Sequence, residues 1–331
     1  GIGGAQRYVH DLRAHCDASH FEVKIVTGNE GQELRPDIIA PHLGNATNPL
    51  LLFWNDWYAL YELTKIFKIE QPDVVHLNSS KAGVIGAIAA AWCKIPCIST
   101  THGWVFNPGN DLSIFEQWSY IALHWIAARF QHRIICVSEF DRQLALQYYI
   151  KSTATIVTIP IGVDNKTRKL LTKVTARNNL IKLAELQGFT LAPQKPWIGS
   201  IGRLVREKNF GSLVATMTHI DANLVVIGDG PELEQLKNLI KKYRLEHRAA
   251  LIMLLQPAAD YCNAFDIFVL SSIKEGLPYT LLEAMGASLP IVVTNVGGMP
   301  EAIQHGVSGF VVPPRNPKIL GTAIQTLLSD K

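Results

Sequence analysis

The sequence predicts an α/β protein made of two doubly wound domains. Three observations carry this. Short, β-branched-rich runs alternate with helical stretches along the whole chain, the rhythm of a parallel sheet covered on both faces. The rhythm restarts near residue 196, after a polar and basic stretch. The 331 residues, 48% hydrophobic and 18% charged, suffice for two cores of ordinary size and are too apolar for disorder.

In the first half the predicted strands are FEVKIVTG (21–28), DVVHLN (73–78), PCISTTHG (96–103) and RIICVSE (133–139), and ATIVTIP (154–160) closes the domain. Helices are predicted near 55–69, 81–93, 112–130 and 139–148. Residues 1–163 thus form an N-terminal domain. Segment 164–195, with one helical piece near 176–187, reads as a connection, and 196–331 form the C-terminal domain. Its strands are WIGSIG (197–202), NLVVIG (223–228), AALIML (249–254), IFVLSS (267–272) and PIVVTN (290–295). Two such domains facing each other form a cleft at their strand C-terminal edges, where ligands of this architecture bind. The chain opens on GIGGAQRYVHDLRAH, a Gly-rich loop entering a helix. In a doubly wound domain that loop follows the first, central strand. The expectation is therefore a chain clipped at both ends, with the first N-domain strand absent, a stable C-domain and a loose N-domain. Whether such a piece is active stays open.

Composition excludes several classes. The five cysteines (16, 93, 97, 136 and 262) are scattered and odd in number, which suits a reducing cytoplasm better than a disulfide framework. Apolar runs such as VIGAIAAAW are too short to span a bilayer, and no signal-peptide pattern is present. Residues 1–163 hold 12 Lys and Arg against 14 Asp and Glu; the remainder holds 19 against 14. A mildly basic second half suits a phosphate-bearing small molecule and is too weak a bias for nucleic acid. The helix SIFEQWSYIALHWIAARF (113–130), with Trp118, Trp125 and Arg129, fits either an interfacial helix or one packed into its own domain, so peripheral membrane contact stays open.

The chemistry-bearing segments cluster at predicted strand ends. GRLVREKNF (202–210) places Arg203 and Lys208 around a turn before a helix start, a site for two phosphates. SSIKEGLPYTLLEAMGA carries Glu275 and Glu283 with seven residues between them. A helical rise puts these carboxylates on the order of 12 Å apart, about the span from sugar to ribose in an extended nucleotide-diphosphate sugar. A Glu at a helix start followed by one on its exposed face has the same pattern. THGWVFNPG brings His102 to another strand end, and SSKAG brings Ser79, Ser80 and Lys81 to a third, where Ser80 is the expected helix N-cap. No Asp-x-Asp, no G-x-G-x-x-G after a strand and no Ser nucleophile elbow occurs.

Taken together, GGAQRYVHDL, PDVVHLNSSKAG, TTHGWVF, IICVSE, TIPIGVD, GRLVREKN, VIGDGPE and EGLPYTLLEAMGASLPIVVT resemble the retaining glycosyltransferases of family 4. That resemblance implies the GT-B fold of two Rossmann-like domains, and the SSKAG and THGW pieces look like bacterial members that build surface polysaccharides. By resemblance, Arg203 and Lys208 bind the donor diphosphate. Glu275, with the Gly276 and Leu277 N–H groups, holds donor-sugar hydroxyls, and Glu283 holds the ribose. His102 lies beside the transferred sugar. Gly3 and Gly4 approach the phosphates and the acceptor, and Ser80 and Lys81 join them on the acceptor side. Two departures concern Ile161, where many relatives carry Asn, and Gln256, where Gly is common beside the nucleobase. The implied activity is metal-independent hexosyl transfer. The donor is a nucleotide-diphosphate sugar, with UDP favoured over GDP, and the acceptor a hydroxyl of a saccharide or lipid-linked saccharide. No cofactor is implied. The place is the cytoplasm or the cytoplasmic membrane face. The alternatives are a non-catalytic nucleotide-sugar-binding remnant and a GT-B-like sugar-nucleotide epimerase.

Overall fold

The computed structural model describes residues 3–29, 35–44, 52–107, 109–110, 112–150, 155–164, 170–253 and 257–330; Gln256 lies outside them. The chain divides into two compact units, with the boundary between Ile161 and Gly162.

The N-terminal unit runs α1 (Gly4–His15), β1 (Val26–Thr27), β2 (Ile38–Ile39), α2 (Leu52–Glu70), β3 (Val75–Leu77), α3 (Ser80–Trp92), β4 (Cys97–Thr101), α4 (Ile114–Ala128), β5 (Arg133–Cys136), α5 (Glu139–Gln147) and β6 (Thr155–Thr158). All pairings are parallel. Among the described residues β1 pairs only with β2, while β3, β4, β5 and β6 form a separate sheet in that order. The break falls between β1 and β3, where a doubly wound order places its first strand.

Strand β1 is much shorter than the predicted run 21–28. The Ile25 N–H donates to the Asp37 carboxylate (2.7 Å) instead of to a ladder carbonyl. Arg13 clamps the same carboxylate through two hydrogen bonds of 3.0 and 3.1 Å. The Ile25 N–H and Arg13 together outweigh burial and hold the Asp37 carboxyl below its usual range. Buried side chains of this unit form two clusters. One contains Leu60, Leu63, Phe67, Leu77 and Ile85, the other Trp104, Phe106, Ile121, Ile134 and Ile150.

The C-terminal unit runs α6 (Lys173–Leu186), β7 (Trp197–Ile201), α7 (Phe210–Thr216), β8 (Asn223–Ile227), α8 (Leu233–Lys242), β9 (Ala249–Ile252), β10 (Ile267–Leu270), α9 (Tyr279–Gly286), β11 (Ile291–Thr294), α10 (Met299–Ala302), β12 (Phe310–Val312) and α11 (Pro317–Ser329). Six parallel strands lie in the order β12-β11-β10-β7-β8-β9. Strands β7 to β11 are buried at every position, which explains their near-continuous apolar sequences. After β9 the chain returns to the other side of β7, so the strand order reverses between β7 and β10. Such a switch point opens a crevice at the strand C-terminal ends.

Part of the segment expected as a connection belongs to this unit. Ala176, Leu180 and Ala184 on α6 are buried in the single C-terminal core cluster. Asp266 ties α6 to the sheet. Its carboxylate accepts from Lys173 Nζ (2.6 Å), from the Arg177 guanidinium (2.6 Å) and from the Trp197 N–H (2.7 Å). Burial pushes the Asp266 pKa up, yet these donors outweigh it and the net shift is down. Asp266→Ala leaves two cations and a backbone N–H without their acceptor. The expected loss is about 2–3 kcal/mol of C-terminal unit stability, read by hydrogen exchange at the β7 amides; unchanged exchange there contradicts the tie.

Candidate active site

The C-terminal unit brings together, at the β7/β10 switch point, two loops that stand more than sixty residues apart in sequence. The first leaves β7 through Gly202, Arg203 and a short 3-10 turn, Arg206–Lys208. Gly228, at the end of β8, crosses it so closely that a Cβ there would stand 1.9 Å from the Gly202 carbonyl oxygen, so only glycine fits. The second loop leaves β10 at Ser271 and carries Glu275 to the start of α9. Hydrogen bonds sew the two together. Ser271 Oγ donates to the carbonyl oxygens of Lys208 and Asn209 (3.1 Å each), and the Ile273 N–H donates to the Glu207 carbonyl oxygen (2.8 Å).

This stitching makes one charged centre. Lys208 Nζ stands 2.5 Å from Glu275 Oε1, and Ser272 Oγ donates to the same oxygen at 2.7 Å. Both charged side chains are largely buried, with relative exposures of 18% and 10%. Glu275 Oε2 has no partner among the described residues. Arg203 is exposed on the same loop as Lys208, and its guanidinium has no partner among the described residues either. The sequence placed Lys208 with phosphates and Glu275 with a sugar; the fold makes them neighbours.

The helical step expected between the two glutamates applies over only part of the interval, because α9 starts at Tyr279 and Glu275 lies in the loop before it. Glu283 is buried, at 3% exposure, which removes the reading of a solvent-facing helix residue. The helix after Lys208, α7, has only seven residues, Phe210–Thr216. A helix that short has a small dipole, so the side chains carry most of the positive charge here. Gly276 and Leu277 sit where Gly297 and Gly298 support them. A Cβ on Gly297, whose φ is +56°, would stand 2.1 Å from the Glu275 carbonyl oxygen, and the Gly298 N–H donates to the Gly276 carbonyl oxygen at 2.6 Å. The Gly276 and Leu277 N–H groups have no acceptor among the described residues. Sequence reasoning missed Ser271, Ser272 and the Gly297–Gly298 turn. A glycine pair two residues beyond the strand PIVVT was the available signal.

The N-terminal unit has its own polar cavity, about 220 Å³, at the C-terminal ends of β3 and β4. Ser80, His102 and Ala5, the residue after Gly4, line it. The helix N-cap is Ser79, not Ser80: its extended backbone lets Oγ accept the Ala82 N–H at 3.2 Å, which leaves Ser80 facing the cavity. Gly3 caps α1, donating its N–H to Gln6 Oε1 (2.7 Å), and both Gly3 and Gly4 are exposed. Lys81 is engaged within the unit. Its ammonium lies 2.6 Å from the Gly44 carbonyl oxygen and 2.9 Å from Asp56, so it anchors the start of α3 to the segment after β2 and to α2.

Two partly buried imidazoles, His102 and His124, line this cavity and a third, His76, lies behind Thr100; only His102 was singled out from sequence. Tyr8 packs edge-on to His102 at 4.9 Å and to His76 at 6.1 Å. His76 Nε2 lies 2.7 Å from Thr100 Oγ1. His124 on α4 stacks edge-on against Trp104. Burial lowers the pKa of each to about 4, and at His102 the neighbouring His76 adds to it. His102 is therefore a neutral imidazole at physiological pH, able to donate or accept a hydrogen bond but not to act as a cationic acid. Its Nε2 is buried without a partner among the described residues. Gln131, which has no sequence signature, braces the floor between Ser99 Oγ (3.0 Å) and the Gly83 carbonyl oxygen (2.9 Å).

With the two Rossmann-like units and their charged strand ends in place, comparison with known proteins settles the class. Residues 2–167 match the family described as Glycosyltransferase Family 4, and residues 184–331 match Glycosyl transferases group 1. The chain belongs to this glycosyltransferase family and has its GT-B fold. Among its relatives is an Escherichia coli UDP-Gal:alpha-D-GlcNAc-diphosphoundecaprenol alpha-1,3-galactosyltransferase. It is 28% identical over 287 residues, 83% of this chain and 71% of that protein. The Campylobacter jejuni N,N'-diacetylbacillosaminyl-diphospho-undecaprenol alpha-1,3-N-acetylgalactosaminyltransferase is 27% identical over 297 residues, covering 86% of this chain and 74% of that one. Among solved structures, Anabaena HepE in complex with UDP-glucose superposes with a TM-score of 0.79 at 19% identity, over 100% of this chain and 87% of that one. At that identity the likeness concerns the fold.

The imidazoles set an acid limit. Their folded pKa values lie below the unfolded value of 6.5, so the fold favours the neutral form. Their contribution is complete above pH 6.5, falls as pH drops, and is spent below about pH 4. Each is worth on the order of 3 kcal/mol, with the neighbouring pair not additive. Hydrogen exchange between pH 7 and pH 4, corrected for intrinsic rates, should show selective loss of protection in β3, β4 and α4. Replacing His124 by Gln should shrink that loss, and protection independent of pH in this range would contradict the assignment.

Proposed function

We propose that the protein transfers a hexose from a nucleotide-diphosphate sugar, with UDP favoured, to a hydroxyl of a lipid-linked saccharide in surface-polysaccharide synthesis. The transfer retains anomeric configuration and needs no metal. The observation that carries this reading is the Lys208–Glu275 pair at the switch point of the C-terminal sheet, with Arg203 on the same loop as Lys208. Arg203 and Lys208 supply positive charge for a diphosphate. Glu275 Oε2 and the two N–H groups of Gly276 and Leu277 offer acceptor and donors for sugar hydroxyls. Lys208 and Ser272 hold the carboxylate ready, so little reorganisation is needed at the moment of reaction. Glu283, buried on α9, is assigned to the ribose hydroxyls. The names of the Escherichia coli and Campylobacter jejuni relatives support a saccharide carried on a lipid diphosphate as acceptor.

In the proposed step the anomeric C–O bond to the diphosphate breaks on the face where the acceptor oxygen bonds. The departing phosphate oxygen takes the acceptor proton, so no protein base is required. Arg203 and Lys208 stabilise the charge that builds on the leaving group. His102, neutral and with a free Nε2, is assigned a hydrogen bond to the transferred sugar, and Ser80, Gly3 and Gly4 to the acceptor side. Lys81 contributes there by fixing the start of α3. The absence of Asp-x-Asp from the sequence supports charge stabilisation by these cations alone.

Nucleotide release from UDP-sugars, measured with and without acceptor and with and without chelator, tests the reading. Acceptor-dependent release that survives chelator is expected, and release without acceptor or full dependence on added manganese contradicts it. Arg203→Ala and Lys208→Ala should each lower kcat by roughly 10²-fold or more, the scale of losing one transition-state donor, with circular dichroism unchanged.

The two glutamates separate in a binding experiment. Glu283→Gln should weaken binding of free UDP by calorimetry, because ribose hydroxyls lose a charged acceptor. Glu275→Gln should leave UDP affinity within about two-fold, a few tenths of a kcal/mol, yet depress transfer. Equal affinity losses in both variants would show that the roles are divided wrongly.

A further inference from the structure

Around the cavity at the ends of β3 and β4, some polar groups are satisfied and others are not. Ser79 Oγ accepts the Ala82 N–H, Thr100 Oγ1 lies 2.7 Å from His76 Nε2, and Ser99 Oγ donates to Gln131 Oε1. Asn78 differs. Its Nδ2 donates to the His76 carbonyl oxygen (3.3 Å), which fixes the orientation of the amide. The other end, Oδ1, is buried without a partner among the described residues. An amide oxygen accepts only, and a buried one is costly to leave unpaired. Two residues on, Ser80 lines the same cavity, and its hydroxyl also has no partner among the described residues. His102 Nε2 is a third free group, already assigned to the transferred sugar.

Gly83, in the first turn of α3, forms part of the apolar wall. It is buried, its φ is not positive, and a Cβ added to it would meet nothing within 4 Å. Neither backbone conformation nor packing therefore calls for glycine, which weakens a helix relative to alanine. Gly83 lines the cavity, and the open space beside it is the cavity itself, whose wall continues with Ile134 and Trp104. Among the described residues no Lys, Arg, Asp or Glu lines it.

An occupant thus needs a donor for Asn78, an acceptor for Ser80, an apolar end and no charge. A sugar hydroxyl has no apolar end. A carboxylate would be buried without a counter-charge. An acetamido group has an N–H, a carbonyl and a methyl. Its four heavy atoms take roughly the room of three waters, about 90 Å³, and the cavity holds about 220 Å³.

From this accounting we propose that the cavity holds the acetamido group of the acceptor's reacting sugar. The N–H donates to Asn78 Oδ1, the carbonyl accepts from Ser80 Oγ, and the methyl enters the space beside Gly83. The inference rests on the reading of the acceptor as a saccharide and narrows that saccharide to an N-acetylated amino sugar. A plain hexose leaves Asn78 Oδ1 unpaired and the space beside Gly83 empty, so the pocket separates two sugars that differ in one substituent.

The test is calorimetric titration of the whole protein, without nucleotide, against four decyl diphosphates. They carry glucose, N-acetylglucosamine, galactose or N-acetylgalactosamine. In at least one pair the acetamido member should bind at least about 10-fold more tightly than its plain hexose. Asn78→Ala should remove most of that preference, because the N–H loses its acceptor. Gly83→Val should remove it by filling the space, with no fall in melting temperature. In both variants the plain hexose should bind within about two-fold of its original affinity, which a general loosening of the unit would not leave intact. Because no donor is present, a protein that shows this preference but transfers no sugar supports the pocket and refutes the transfer reading alone. Equal binding within both pairs, no binding of any of the four, or a preference that both variants retain overturns the proposal.

Discussion

The candidate site depends on one topological constraint, the reversal of strand order between β7 and β10. In a parallel sheet each connection must cross a face and return, so strand C-terminal ends all point the same way. Where two neighbours send their connections to opposite sides, the loops part and their backbones stay accessible. The Lys208–Glu275 pair exists only because β10 lies beside β7. The hydrogen bonds from Ser271 and Ile273 then hold the two loops at a fixed separation. Breaking that pair frees a carboxylate that is nine-tenths buried, so its geometry and its charge are coupled.

The two units use buried polarity differently. In the C-terminal unit, charge is kept at the strand ends, balanced and within reach of solvent. In the N-terminal unit, partly buried imidazoles, hydroxyls and the buried Gln131 amide gather at a cavity, and desolvation keeps the imidazoles uncharged. An uncharged lining recognises hydroxyls without imposing a field on them, whereas a cationic loop answers a diphosphate. This division suits a reaction in which one substrate carries charge and the other presents a hydroxyl.

The N-terminal unit also shows why composition by region misleads. Its net charge is acidic, yet the three acids of α2, Asp56, Glu62 and Glu70, are spent on internal pairs while Lys65 and Lys68 stay exposed on the same helix. Net charge counts residues without regard to direction. The direction comes from helix phase and from which face the neighbouring helix covers.

Much of the fold was legible in local chemistry. Runs such as NLVVI and IVVT are short, apolar and bounded by turn residues, so neighbours in sequence suffice to mark them as buried strands. The Arg203, Lys208, Glu275 and Glu283 pattern was legible because residue types at fixed spacing survive without coordinates. What escaped were the two- and three-residue strands Ile38–Ile39 and Phe310–Val312, too short for any periodicity. The packing of α6 into the C-terminal core also escaped, since a helix's partner is not written in its own sequence. Tertiary structure alone decided that Lys208 meets Glu275, that Glu283 is buried, that Lys81 is tied to Asp56 and that His102 is neutral. Each is a contact or a desolvation between segments far apart along the chain, set by strand order and burial. The sequence determined which groups are available; the fold decided which of them share a site and in what charge state.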